Sequence, residues 1–261
     1  MTADSLSAGY NGVPVFFDFD LEVPAGKITT LIGANGSGKS TILKTMSRLL
    51  SPTDGAVYLE GESIHRMPTK AVAQRLALLP QGSQTPSGIT VEDLVEYGRF
   101  PYRSRLSGMT AEDREIIRWA LACTTMTEMA DREMDQLSGG QRQRGWIAMA
   151  LAQKTGILFL DEPTTYLDIS HQLEILQLLR QLNEQQGVTV VMVLHDLNHA
   201  IMFSDYLVAI KNGRKHCAGT PKDAITPQML EDVFNIEAEV IQHPILDIQV
   251  CLPYGVRKAK T

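Results

Sequence analysis

Eight consecutive residues, Gly33-Ala34-Asn35-Gly36-Ser37-Gly38-Lys39-Ser40, satisfy the spacing G-x-x-x-x-G-K-[ST]. That spacing has a chemical purpose. The glycines let successive backbone N–H groups turn inward around phosphate oxygens. A helix starting at their end adds the partial positive charge of its N-terminus. Lys39 is then placed to reach β- and γ-phosphates, and the Ser40 hydroxyl suits a hard cation such as Mg²⁺. The candidate nucleotide contacts are Gly33, Asn35, Gly36, Ser37, Gly38, Lys39, Ser40 and Thr41.

A second chemical group follows the apolar run Ile157-Leu158-Phe159-Leu160, where Asp161 and Glu162 emerge side by side. Alone, such a pair is equally at home at a solvated strand end. Beside a phosphate cradle, Asp161 suits Mg²⁺, usually through water, and Glu162 can take a proton from water attacking a γ-phosphate. A third segment, Leu137-Ser138-Gly139-Gly140-Gln141, opens another helix and resembles a second anion-binding helix start. Standing alone it is a weak signal, since most such starts are only a loop and a cap.

These groups need elements to hold them. Val13 to Phe19 and Lys27 to Ile32 read as strands, and the second gives way at Gly33 to a helix over Ser40 to Met46. Strand followed by cradle followed by helix is the layout that confirms the motif. Ala56 to Leu59 and Ala77 to Leu79 are further strands. Residues 82–89 are turn-rich. Thr90 precedes Asp93 by three residues and Thr110 precedes Asp113 by three, both capping-box starts. With no strong strand between about residues 90 and 136, this stretch reads as an inserted helical subdomain. The alternation then returns: helix 141–153, strand Ile157 to Leu160, helix 170–185, strand Val188 to Leu194, helix 196–204 and strand Tyr206 to Ile210. A short helix near Thr226 to Phe234 and two candidate strands close the chain. Apolar strands separated by amphipathic helices predict a mainly parallel sheet covered on both faces.

Composition sets outer bounds. The 261 residues carry a formal net charge of −6, which gives no general pull toward nucleic acid or anionic lipid. Cys123, Cys217 and Cys251 are odd in number and widely spaced. They make neither a disulfide framework nor a zinc site, and they fit a reducing compartment. No secretory leader layout is present at the N-terminus, and the longest apolar runs are strand-sized, well short of the ~18–20 residues of a membrane span.

Taken together, the motifs carry a family resemblance. Leu137-Ser138-Gly139-Gly140-Gln141 resembles the signature of ABC-type ATPases, and it lies between the cradle and Leu160-Asp161-Glu162 in the order that family requires. Gln81 is similar to the family's Q-loop glutamine, Asp168 to its D-loop aspartate and His195 to its switch histidine. Tyr10 sits where the family stacks an aromatic on adenine. The resemblance covers residues 6–220 and implies a P-loop NTPase core with a mainly parallel sheet, an N-terminal antiparallel β part and an inserted helical subdomain. It further implies two copies packed head to tail, each ATP lying between Lys39 and its loop on one copy and Ser138, Gly139, Gly140 and Gln141 on the other. Glu162, His195, Gln81, Lys39 and Asp168 would then serve hydrolysis, with Ser40, Gln81 and Asp161 toward Mg²⁺. The expected division is a core of residues 1–82 and 137–220, a helical subdomain of 83–136 and an extension of 221–261.

The segments 89–102, 137–153, 161–176 and 194–198 resemble the ATPases of bacterial iron-siderophore importers, with haem and cobalamin importers sharing much of the pattern. That resemblance implies a homodimer held by a membrane permease on the cytoplasmic face of the inner membrane, and a periplasmic or extracellular binding protein in the same complex. The cluster Arg99, Phe100, Tyr102 and Arg103 reads as a docking surface for the permease, with the alternative that Phe100 and Tyr102 only anchor a loop. Tyr166 is a departure from the general family, which often has a small residue there. His171 and His199 read as helix-surface residues. Readings from other classes, a soluble P-loop ATPase or a regulatory nucleotide-binding module, fit less well. A soluble ABC ATPase for DNA repair would need long coiled-coil arms. A P-loop kinase would need an acceptor site and has no reason to carry residues 137–141. A regulatory module would lack Glu162 or His195.

Overall fold

The computed structural model describes residues 1–82, 86–103, 108–165 and 167–257. They divide into two compact units: Met1–Arg66 with Val191–Thr261, and Met67–Val190.

The first unit opens with a hairpin of β1 (Thr2–Tyr10) and β2 (Val13–Glu22). Its turn residues Asn11 and Gly12 both have positive φ, 52° and 77°, as a two-residue turn matching the twist of the strands requires. β2 buries Phe16, Phe19 and Leu21, and the two phenylalanine rings meet edge to face at 6.1 Å. β3 (Ile28–Ile32) is buried at every residue, as suits a strand covered on both faces. It leads through the glycine-rich loop into α1 (Lys39–Met46). β4 (Asp54–Leu59) and the short β5 (Glu62–Ser63) complete an antiparallel sheet ordered β2-β1-β4-β5.

The second unit begins with α2 (Thr69–Ala73) and β6 (Leu76–Leu79). Next come α3 (Val91–Tyr97) and α4 (Ala111–Cys123), each opened by the expected capping box, Thr90 with Asp93 and Thr110 with Asp113. α5 (Gly139–Ala152) packs on both helices. Among the described residues of 86–136 no strand forms, only an isolated bridge between Thr90 and Glu133. β7 (Ile157–Asp161) pairs with β6 in parallel, from Leu76 opposite Ile157 to Leu79 opposite Leu160. α6 (Ile169–Gln186) follows. β8 (Thr189–Val193) starts in this unit and ends in the first.

Back in the first unit, α7 (Leu197–Phe203) precedes β9 (Tyr206–Lys211), which lies parallel to β3. β10 (Arg214–Gly219) folds back on β9 through Asn212-Gly213. α8 (Pro221–Ala224), α9 (Pro227–Phe234) and the hairpin of β11 (Ile236–Gln242) with β12 (Gln249–Val256) end the chain. Asn198 ties that hairpin to α7: its side-chain amide donates to Cys251 O at 3.1 Å and accepts from Cys251 N at 2.8 Å.

Three strands lie outside the expected pattern: β1, the two-residue β5, and β10. β1 has register shifts after Ala3, Leu6 and Ala8, so its buried residues break the two-residue period by which strands are recognised. β10 is built of Arg214 to Gly219, with no β-branched or aromatic residue, and forms because a tight turn delivers it to β9.

Of the residues expected on a docking surface, Arg99 is instead internal, while Phe100 stays exposed. Arg99 is 4% exposed. Its Nε pairs with Asp113 Oδ1 at 2.8 Å, and a terminal nitrogen donates to Ala152 O at 2.8 Å. Its guanidinium lies 4.0 Å from the centre of the Tyr102 ring, and Tyr102 OH reaches Gln74 O at 3.4 Å. Both residues therefore lock the helical part of this unit from inside. The exposed aromatics near Arg99 are Tyr97 and Phe100, stacked at 5.2 Å. Among the described residues no helix is long and apolar enough to cross a membrane.

Candidate functional site

In the first unit the loop between β3 and α1 is held from several sides. Gly33 lies so close to β9 that a Cβ there would fall 2.3 Å from Ile210 O, so only glycine fits. Gly38 caps α1 at φ 103°, a region that side chains disfavour. Gly36 faces open space, while Asn35 is exposed and Ser40 and Thr41 begin the helix. Ser37 Oγ is buried and has no hydrogen-bond partner among the described residues, a group that a ligand oxygen would satisfy. Lys39 is 5% exposed, and its amine donates to Gly33 O at 2.8 Å and Ala34 O at 3.0 Å. Its charge is thus held over the loop. Tyr10, at the end of β1, keeps an exposed ring, as a stacking platform requires. His195 is exposed between β8 and α7, whose N-cap is Asp196.

In the second unit Asp161 ends β7 and is 2% exposed. Glu162 leaves the strand at φ 55°, a left-handed conformation costing about 1–3 kcal/mol in a non-glycine residue and concentrated at functional sites. Gln81, 81 residues earlier, donates from Nε2 to Glu162 Oε2 at 2.6 Å. The Thr165 hydroxyl donates to the same oxygen at 2.9 Å. The fold therefore brings together an amide and a carboxylate read separately from sequence.

The signature-like segment begins α5. Ser138 is its N-cap: Ser138 Oγ accepts from Gln141 N at 3.3 Å, and Gln141 Oε1 accepts from Ser138 N at 3.0 Å. Ser138 and Gly139 are exposed, and a side chain at Gly139 would meet nothing within 4 Å. Asp168 caps α6. Its Oδ1 accepts from His171 N at 3.0 Å, Ser170 Oγ at 2.9 Å and His171 Nδ1 at 2.7 Å. The His171 N–H first, then the Ser170 hydroxyl and the imidazole, hold this carboxyl below its ordinary range. His171 lies partly exposed in the first turn of α6, as expected of a helix-surface residue, and in addition bonds Asp168. Tyr166 lies outside the described residues.

One more residue of the loop's support escaped the sequence reading. Gly213 N donates to Ser37 O at 3.1 Å, and Gly213 O accepts from Phe17 N at 3.0 Å. A Cβ on Gly213 would fall 2.3 Å from Val15 O. The β9–β10 turn is therefore wedged between β2 and the phosphate loop. The Asn212-Gly213 pair was the available signal.

Among the described residues no cluster of three or more His, Cys, Asp or Glu could hold a metal ion. The candidate Mg²⁺ donors are instead a hydroxyl, an amide and a carboxylate, all hard oxygens. Mg²⁺ usually binds through one or two carboxylates together with substrate phosphates, so this donor chemistry fits a cation that arrives with a triphosphate.

The phosphate loop, the strand ending in Asp161 and Glu162, and the capped signature helix define a P-loop ATPase of the ABC type, and the ABC transporter family profile matches residues 16–165; the chain belongs to that family. It is 54% identical over 258 residues to the iron(3+)-hydroxamate import ATP-binding protein FhuC of Bacillus subtilis (strain 168), covering 99% of this chain and 96% of that protein. It is 43% identical to the ferric enterobactin transport ATP-binding protein FepC of Escherichia coli (strain K12), over 98% of this chain and 94% of that one. Among solved structures it resembles the dimeric, post-hydrolysis state of the ATP-binding cassette MJ0796 bound to ADP and Pi. The TM-score is 0.73 at 28% identity, covering 84% of this chain and 98% of that one.

Proposed function

We propose that this chain is the ATP-hydrolysing subunit of a bacterial importer that takes up an iron(III)-siderophore complex through a membrane permease. The transported chelate is supported by similarity to siderophore-import ATP-binding proteins over nearly the whole chain. The hydrolytic reading is carried by one contact, Gln81 Nε2 to Glu162 Oε2 at 2.6 Å.

In this reading Lys39 and the backbone of residues 33–41 bind the triphosphate, and Tyr10 stacks on the base. Glu162 takes the proton from the attacking water, and Gln81 orients that water and Glu162 together. His195 holds the γ-phosphate. Ser40, Gln81 and Asp161 are the donors for Mg²⁺, which would neutralise phosphate charge when bound. Ser138, Gly139, Gly140 and Gln141 act on the ATP of a second copy, with Asp168 at the same seam. A site completed by two copies makes nucleotide state control dimer closure. The permease converts closure into altered access, so the chelate never touches this chain. Residues 83–136 serve as the helical subdomain facing the permease, and 221–261 as an extension of the core. The subunit is peripheral on the cytoplasmic face of the inner membrane, in a complex that includes an external binding protein.

The test is isolation of the native protein from solubilised membranes, followed by uptake assays with ferric hydroxamates in cells lacking it. Co-isolation of a multispan permease and loss of uptake support the reading. Recovery with nucleic acid or only soluble partners, or unchanged uptake, overturns it.

A further inference from the structure

His171 stands in the first turn of α6 and touches two elements that the sequence treats as separate. Its Nδ1 is 2.7 Å from Asp168 Oδ1, so the ring joins its own backbone N–H and Ser170 Oγ in holding a carboxylate that is exposed on the helix cap. The same ring lies against the start of α5. A Cβ on Gly140 would sit 3.4 Å from His171 Cγ and 3.5 Å from Cδ2, with Leu167 Cδ2 at 3.6 Å. One turn further along both helices, an Arg144 terminal nitrogen meets Glu174 Oε2 at 2.7 Å. The two helices are therefore joined at two successive turns, first by an imidazole and then by an ion pair. The ion pair bridges the helices at the surface, and the imidazole lies between their two N-terminal ends.

Those ends carry Ser138, Gly139 and Gly140 on α5, and Asp168 on α6. The ring thus stands between the two ends, one methyl group's space from Gly140 and bonded to Asp168. A shift of Gly140 toward α6 closes that space, and a shift of the ring breaks its bond to Asp168.

We propose that His171 is a positioning residue that couples the signature helix start to the Asp168 cap, so that both reach a second copy's nucleotide as one unit. This rests on the head-to-tail reading above. The ring has two separable duties, a hydrogen bond through Nδ1 and packing through its carbon edge. Asparagine can present an amide N–H near the position of Nδ1 without the ring. Phenylalanine keeps the ring without the N–H.

The test measures ATP turnover and ATP-driven dimerisation for His171→Asn and His171→Phe, with dimerisation measured in a Glu162→Gln background to retain ATP. The expected result is that His171→Phe keeps the wild-type KM for ATP and thermal midpoint but loses about five- to tenfold in kcat and in dimer affinity, the scale of one partly exposed charge-assisted bond. His171→Asn should recover most of that loss. Wild-type kcat and dimerisation in His171→Phe would overturn the proposal. So would equal losses in both variants accompanied by a lowered thermal midpoint, since that marks a residue needed only for packing. Failure of Glu162→Gln to dimerise with His171 intact would instead count against the head-to-tail reading, so the two failures are distinguishable.

Discussion

At the scale of single residues, Glu162 concentrates the chemistry. It leaves its strand at φ 55° and accepts bonds from Gln81 and Thr165 on one oxygen. The strained backbone aims the carboxylate and its partners hold it there. Replacement of Glu162 by Gln should keep ATP binding while slowing hydrolysis about 10²- to 10⁴-fold, measured as steady-state phosphate release beside nucleotide affinity. Near-normal turnover would remove Glu162 from the role of base. Gly139 offers a complementary test because a side chain there enters open space, leaving the fold undisturbed. Gly139→Asp should leave nucleotide binding to the single chain intact and abolish ATP-driven dimerisation, since its carboxylate would face a γ-phosphate across the seam. Mixing it with Lys39→Ala should restore part of the activity through the one intact composite site. Heterodimers that form without any recovery would contradict the head-to-tail arrangement. The candidate chemical residues could be named from the sequence, because phosphate binding demands particular side chains at particular intervals. His171 and Gly213 were not, because their duties come from what the fold places opposite them: Gly140 and Asp168 in one case, Ser37 O and Val15 O in the other.

Secondary-structure elements were legible where local chemistry decides them. Both capping boxes, at Thr90 and Thr110, formed as read. The strand pattern failed at β1, where register shifts hide the alternation, and at β10, where pairing rather than propensity makes the strand. The exposure of Arg99 was misread for a similar reason. Arginine beside aromatics describes an interface and an internal lock equally well, and only the position of Asp113 on α4 decides between them. Arg99→Glu should therefore unfold or strongly destabilise the second unit, since breaking a buried pair costs about 3–5 kcal/mol. A thermal midpoint within error of wild type would refute this. Burial alone would raise the Asp113 carboxyl, but hydrogen bonds from Arg99 and from the Thr110 N–H and hydroxyl outweigh it and hold the group below its ordinary value of 3.8. A depressed carboxylate contributes stability that is fully present above the unfolded value and lost as pH falls through the folded one. The thermal midpoint of wild type should thus fall more steeply below about pH 4 than that of Asp113→Asn. The exposed ring of Phe100 is the better probe of docking. Phe100→Glu should change stability by no more than about 0.5 kcal/mol and leave basal hydrolysis unchanged while reducing permease co-purification and chelate uptake. Wild-type levels of both would place docking elsewhere.

For the molecule as a whole, the division into units has a consequence for how the chain is made. The second unit is one continuous segment, Met67–Val190, whereas the first is built from both ends of the chain. Some of the first unit closes early, because β1, β2 and β4 pair within the opening stretch. β3 cannot complete its pairing, since its sheet neighbours β8 and β9 begin only at Thr189 and Tyr206. At roughly 5–20 residues per second, the roughly 170 intervening residues take about 9–35 s to synthesise. Throughout that interval the ribosome-bound chain carries a strand whose five residues are all buried in the finished protein, with the phosphate loop attached and its Gly213 brace not yet made. The nascent chain can thus complete its second unit, with Glu162, the signature helix and Asp168, before its ATP-holding unit exists. The late arrival of β9 and of the Gly213 turn therefore sets when this subunit can first bind nucleotide.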